Sequence, residues 1–178
     1  KTKYFILLST VALLIPCLLA GFRASNIGTD IEVYLKPMAR AAISADNIAE
    51  YYRSYWWHIW KNVYVRDYDI GFSLVVYFVT KLTSSMAAVQ FAISALTVVP
   101  VYVAVARNRK NGPVWLGMLV FYLYAYNATL NLMRQWIAMA FMLLALQLIN
   151  EKKWGWAAFF CVVATLFHSS AVIALVAY

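Results

Sequence analysis

Asn127-Ala-Thr-Leu-Asn131-Leu-Met-Arg134-Gln135 opens an apolar run that reaches Asn150, and the turn Glu151-Lys152-Lys153 follows it. A second apolar run then ends in Phe167-His168-Ser169-Ser170. Two long hydrophobic segments joined by a short charged turn predict an antiparallel helical hairpin. Arg134 and His168 are the outer ends of its two arms, side by side on one face of a membrane. A guanidinium and an imidazole are expensive to place there, which marks both as candidates for function.

Working outward, the composition agrees. The chain is 65% hydrophobic and 12% charged, against about 25% charge in soluble domains. Several apolar runs approach the roughly 20 residues needed to cross a bilayer. The expected fold class is all-α, a polytopic helical membrane protein with about five to six transmembrane helices. Residues 1–178 read as a single integral membrane domain, and 23–85 as an external helical segment with interfacial or re-entrant helices. The chain starts at Lys1 and stops inside the apolar run Ala171 to Tyr178, so it reads as an excerpt of a longer one. Lys1 to Phe22 lacks the small-x-small site of a cleavable signal. Cys17 and Cys161 lie inside predicted spans and read as small hydrophobes. The net charge of +8 does not read as nucleic-acid binding, because the basic residues punctuate apolar spans and form no continuous face.

The predicted spans are Tyr4 to Phe22, Met86 to Ala106, Pro113 to Tyr126, Met133 to Ile149 and Trp154 to Phe167, with a sixth beginning at Ala171. Thr83-Ser84-Ser85 offers caps for the second span, and Pro100 its kink. The turns at Lys1/Lys3, Arg107/Arg109/Lys110 and Lys152/Lys153 hold seven basic residues and one acid, Glu151. The positive-inside rule places all three in the cytoplasm. Residues 23–85, 127–133 and 168 then lie outside. Within that external segment, Ile70 to Phe78 is too short to span and reads as re-entrant or interfacial.

Ser44 or Asp46 is expected to cap a helix on which Tyr52, Trp56, Trp60, Tyr64 and Tyr68 recur every four residues along one stripe. Such a stripe suits an aromatic belt at the membrane interface or a platform for stacking sugar rings. There is no Gly-rich phosphate loop, Cys/His zinc pattern or Gly-x-Ser-x-Gly elbow.

Arg134 sits at an outer helix end, against the positive-inside trend. It either snorkels to headgroups or binds an anion, since a guanidinium matches phosphate oxygens bidentately. Asn127, Asn131 and Arg134 share a face if the helix persists through them, and Gln135 adds a neutral donor. His168 is a capping residue or a proton acceptor. Arg23 repeats the anomaly of Arg134, and the two make a diphosphate clamp plausible. Thr29 or Asp30 reads as the cap of a helix from Ile31. Arg66, Asp67 and Asp69 read as a solvated turn. Carboxylates are scarce near Arg134 and His168, so no metal is expected.

Taken in order, Arg23…Gly28-Thr29-Asp30…Tyr34, Asp69-x-Gly71-Phe72, Asn131-x-x-Arg134-Gln135-x-x-Ala138 and Phe167-His168-Ser169-Ser170 resemble the EpsG-like family of exopolysaccharide polymerases, relatives of the Wzy-type enzymes. The resemblance covers roughly residues 20–175. It implies a multi-pass glycosyltransferase of the cytoplasmic membrane that joins polyprenyl-diphosphate-linked oligosaccharide units on the exoplasmic face, with no cofactor. Arg134 and Arg23 would hold the leaving diphosphate, and His168 or Asp30 would take the acceptor proton. Gln135, Tyr34 and Asn131 would orient substrate, with Trp56 and Trp60 guiding glycan. Membrane lipids, a chain-length regulator and other polysaccharide assembly proteins are the expected partners. The alternatives are a non-catalytic polysaccharide or lipid translocator, an envelope assembly subunit, or an outer-face acyltransferase or ligase. Nearly apolar centres in the fourth and fifth spans count against a translocator.

Overall fold

The computed structural model describes residues 2–24 and 27–171. In chain order it contains α1 (Thr2–Phe22), a π-helical turn (Ile31–Leu35) running into α2 (Lys36–Ser44), α3 (Ile48–Arg53), and the strands β1 (Tyr55–His58) and β2 (Lys61–Tyr64). Then come a short 3-10 turn (Val65–Asp67), α4 (Ile70–Thr83), α5 (Met86–Arg107) and α6 (Val114–Val120). A second π-helical turn (Phe121–Ala125), α7 (Tyr126–Thr129), α8 (Met133–Asn150) and α9 (Trp154–Phe167) complete the order. The helical class is as expected.

α5 is the hub. α1, α4, α6 and α8 all pack against it, α9 packs on α8 and touches α4, and α2 lies on α4. Ser85 starts α5 by accepting from the Ala88 N–H at 3.4 Å, as the serine-rich entry suggests. Ser84 instead turns the chain out of α4 in the left-handed region, with φ 49°. α8 and α9 form the expected antiparallel hairpin, and Phe141 stacks on both Phe160 and Phe167 with centroids 5.9 Å apart.

α5 and α8 are long and apolar enough to cross a bilayer, with 22 and 18 residues. At 1.5 Å per residue they reach about 33 and 27 Å. The expectation of five to six such spans is not met. The third predicted span is broken into α6, a π-helical turn and α7. α9 has 14 residues, about 21 Å of rise, short of a hydrocarbon core near 30 Å. The sixth span, beyond its first residue Ala171, lies outside the described residues, as does Lys1 of the first basic turn. Apolar side chains nonetheless cover much of the exterior, Leu123, Trp154, Phe159 and Val162 among them. This is a membrane protein.

The aromatic stripe is not a helix. Residues 55–64 form an antiparallel hairpin in which Tyr55 faces Tyr64 and His58 faces Lys61. A spacing of four is even, so along one strand it would keep a face as it does along a helix. The chain reverses at Ile59–Trp60, however, and with Trp56 opposite Val63 and Tyr55 opposite Tyr64 the stripe residues Trp56 and Tyr64 fall on opposite faces of the hairpin. Tyr55, Trp57, Ile59 and Val63 among the residues between are aromatic or β-branched, which favours the strand. Asn47, and not Ser44 or Asp46, caps the helix before it, accepting from the Glu50 N–H at 3.0 Å. Glu50 reaches back to the Asp46 N–H at 2.8 Å.

Candidate active site

The loops before α4 and after α1, the start of α8 and the end of α9 meet at the end of the bundle away from the α8–α9 turn. The largest buried cluster lies beneath them, with Ile31, Tyr34, Phe72, Met133, Ile137 and Phe167 among its members.

Arg134 Nη1 donates to Asp69 Oδ2 at 2.6 Å. His168 Nδ1 lies 3.5 Å from the same oxygen, just beyond hydrogen-bond range. The hairpin therefore does bring Arg134 and His168 together, through a carboxylate between them. The scarcity of carboxylates expected around these two residues is corrected: Asp69 touches one, stands beside the other, and is no solvated turn. Its side chain is 15% exposed, so the pair is screened less than a surface ion pair.

Gly71 explains how Asp69 gets there. A Cβ at this position would stand 2.8 Å from the Leu166 carbonyl oxygen. Only a glycine lets the first turn of α4 press against the last turn of α9, and that crossing carries Asp69 to His168.

The guanidinium of Arg134 sits over two rings, with its Cζ 5.0 Å from the centroids of both Tyr34 and Tyr68. Such faces attract a cation and hold its plane. Tyr68 is in turn stacked on Trp56, at 5.7 Å and 17°, and the Trp56 indole donates to the Val33 carbonyl at 3.1 Å. Trp56 thus backs the site. Trp60 sits at the hairpin tip and is 88% exposed.

Asp30 is placed differently from the expected cap of its own helix. Its side chain accepts from Tyr34 Oη and from the Met133 N–H at 3.2 Å. α8 begins at Leu132 without a side-chain cap of its own, and Asp30 supplies that acceptor from a distant part of the chain. Burial pushes the Asp30 carboxyl above its ordinary range, against the pull of Tyr34, the Met133 N–H, Arg134 and Arg23. Burial, followed by Asp30, pushes the Tyr34 hydroxyl well up. Burial lowers Arg23, with Tyr126 and Asp30 opposing. Arg23 Nη1 donates to the Leu130 carbonyl at 3.0 Å, and its buried Nε has no partner among the described residues. Both arginines therefore act on Asp30.

The remaining candidates lie at the margin. The chain leaves helical hydrogen bonding between α7 and α8, where Leu132 has φ −106° and ψ 55°. Asn127, Asn131 and Arg134 consequently share no continuous helical face. Asn131 is exposed and packs against the turn at Gly28, whose φ is 111° and where a Cβ would meet Asn131 Oδ1 at 3.2 Å. Gln135 is exposed, about 100° around the helix from Arg134. Asp69, Tyr68 and Gly71 are the members that sequence reasoning undervalued. An acid directly at the head of the apolar run from Ile70 is the same anomaly as Arg134 at the head of its own, and it was the available signal.

Chemically, the cluster offers an arginine fork held against two neighbouring tyrosine rings, suited to a phosphate oxygen pair. It also offers an imidazole whose Nδ1 faces a carboxylate, leaving Nε2 for another molecule. A family model described as the EpsG family matches residues 6–178, and the chain belongs to that family. No curated protein and no solved structure matches it.

Proposed function

We propose that this EpsG-family chain belongs to a membrane glycosyltransferase that polymerises polyprenyl-diphosphate-linked oligosaccharide units on the outer face of the cytoplasmic membrane. The observation that carries the reading is the convergence of Arg134, Asp69 and His168 from three separate helix ends, with Arg134 Nη1 at 2.6 Å and His168 Nδ1 at 3.5 Å from one carboxylate oxygen.

In the reaction, the acceptor hydroxyl oxygen attacks the anomeric carbon of the donor sugar, and the bond from that carbon to the diphosphate oxygen breaks. His168 Nε2 takes the hydroxyl proton, with Asp69 orienting the ring from the Nδ1 side. The charge that grows on the departing diphosphate falls to Arg134, assisted by Arg23. Asp69 uses one of the five N–H donors of Arg134, which leaves the others for phosphate. Asp30 acts as a positioning residue, fixing Tyr34 and the start of α8. The pair of Tyr68 and Trp56 forms an aromatic wall for glycan.

This reading includes five to six crossings, with α9 and the broken α6–α7 segment spanning by local thinning of the bilayer and snorkelling of flanking side chains. It places residues 107–112 and 151–153 in the cytoplasm. Arg107 and Glu151 are joined by an ion pair, so these two turns do share one end of the bundle. The test uses cells that lack the native enzyme and carry Arg134→Ala or His168→Ala protein at normal membrane levels. Polymer should shorten or vanish in both, and long polymer from both would end the assignment.

A further inference from the structure

The opposite end of the bundle holds a second constellation that the polymerase reading does not use. A cleft of about 840 Å³ opens between the end of α5, its following turn and the α8–α9 turn, and Arg107, Arg109, Lys110, Lys153 and Glu151 are among its lining residues. Four cations face one carboxylate. Glu151 is already committed, accepting from Arg107 Nε at 2.8 Å and lying 2.9 Å from Lys153 Nζ. Hydrogen bonds from Arg107, then Lys153, hold its carboxyl down at about 2. It thus stays ionised and fixes two cations at the rim, while Arg109 and Lys110 remain exposed across the opening.

A second groove, of about 490 Å³, adjoins the cleft and shares Val103, Arg107 and Lys153 with it. Its other walls are apolar: Leu144, Leu148, Trp156 and Phe160. A polar, cationic basin therefore lies beside an apolar trough along α5, α8 and α9, with Val103, Arg107 and Lys153 lining both. A free anion would need only the basin, and an uncharged acyl chain only the trough.

We propose that this paired cavity is a site for an anionic glycerophospholipid, with its phosphate among Arg107, Arg109, Lys110 and Lys153 and one acyl chain along Leu148 and Trp156. Basic pockets between helices suit such headgroups, and each cation near an anionic surface adds to affinity. The trough supplies chain burial that free phosphate cannot use.

The test uses the full-length protein in nanodiscs of phosphatidylcholine alone or of equal parts phosphatidylcholine and phosphatidylglycerol. Native mass spectrometry of the released protein reads which lipids stay bound. Phosphatidylglycerol should be retained over phosphatidylcholine. The double change Arg109→Gln with Lys110→Gln, which leaves the Arg107–Glu151 pair intact, should weaken that preference by about 30-fold. Trp156→Ala should reduce retention of both lipids alike. Glycerol phosphate without acyl chains, added as competitor at lipid-equivalent concentration, should displace little. Equal retention of both lipids by the unaltered protein, an unchanged preference in the double variant, or full displacement by glycerol phosphate would each overturn the proposal. All of these readouts are independent of polymerase activity.

Discussion

Each end of the bundle carries an arginine, a carboxylate and one more basic group. At one end they are Arg134, Asp69 and His168; at the other, Arg107, Glu151 and Lys153. The two triplets differ in how they are assembled. Glu151 belongs to a tight turn, is 25% exposed, and gathers neighbours from the adjacent helix end and its own turn. Asp69 is 15% exposed, is delivered by a glycine crossing, and meets an arginine that rests against two tyrosine rings. The first arrangement is half local: Lys153 belongs to the turn, and Arg107 arrives from the end of α5. The second is imposed by packing from three separate parts of the chain, and the Nδ1 of its imidazole has no hydrogen-bond partner among the described residues.

Removing matched members should separate the two ends most clearly. His168→Ala should lower polymer formation in isolated membranes on the order of 10²- to 10⁴-fold, the usual worth of a general base. Asp69→Asn keeps shape but loses the charge shared by Arg134 and His168, and about a 100-fold loss is expected. Glu151→Gln should leave turnover within about twofold, because this partly exposed ion pair lies at the other end of the bundle from the reacting groups and a solvent-screened pair contributes little. A loss from Glu151→Gln as deep as that from Asp69→Asn would erase the distinction.

Glycines give a second matched pair. Gly71→Ala forces a Cβ to within 2.8 Å of a backbone oxygen, and a backbone cannot yield as a side chain does. A cost of about 1–3 kcal/mol is expected in thermal unfolding, along with loss of polymer as Asp69 moves from His168. At Gly155, near the start of α9, an added Cβ meets nothing within 4 Å. Gly155→Ala should therefore be neutral or stabilise by up to about 1 kcal/mol through helix propensity. Equal responses would show that α4 and α9 are not held together at Gly71.

The two ends should also answer acid with opposite signs. Asp30 at the polar end has its carboxyl raised above the ordinary 3.8, chiefly by burial. Its contribution to stability is full below 3.8 and is lost as pH rises through the folded value. Glu151 is lowered from 4.5 to about 2, so its contribution is present above 4.5 and is lost as pH falls toward 2. Asp30→Asn should compare best with the unaltered protein at neutral pH and lose that relative advantage on acidification. Glu151→Gln should compare worst at neutral pH and catch up as the pH drops below 4.5. Melting temperatures across that range check both slopes, and parallel slopes would contradict the pairing.

Much of this was legible in the sequence. Apolar periodicity and the charged turn at 151–153 gave the α8–α9 hairpin, and the hairpin gave the meeting of residues 134 and 168. What lay between them was not legible, because the approach of Asp69 depends on how α4 crosses α9. That crossing is set by one absent Cβ at Gly71, a packing event with no periodic signature. The role of Asp30 was hidden for the same reason: its partners include a backbone N–H more than a hundred residues away. The aromatic stripe failed differently. Its spacing of four fits two secondary structures, and local preference decided for the strand.

The stripe's hairpin supplies the smallest expected effect, at the polar end alone. Its turn residues Ile59 and Trp60 have φ of 43° and 68°, the doubly left-handed geometry that ordinarily selects Asn-Gly. A left-handed conformation costs an L-residue about 1–2 kcal/mol, and a β-branched isoleucine tolerates it poorly. Replacing the pair by Ile59→Asn with Trp60→Gly should raise stability by about 1–2 kcal/mol in a thermal melt. Polymer length should stay unchanged, since it is Trp56, not the tip, that stacks on Tyr68. A stabilised variant that makes shorter chains would mean that the strained turn presents Trp60 to glycan, and the polar end would then extend along the hairpin to its tip.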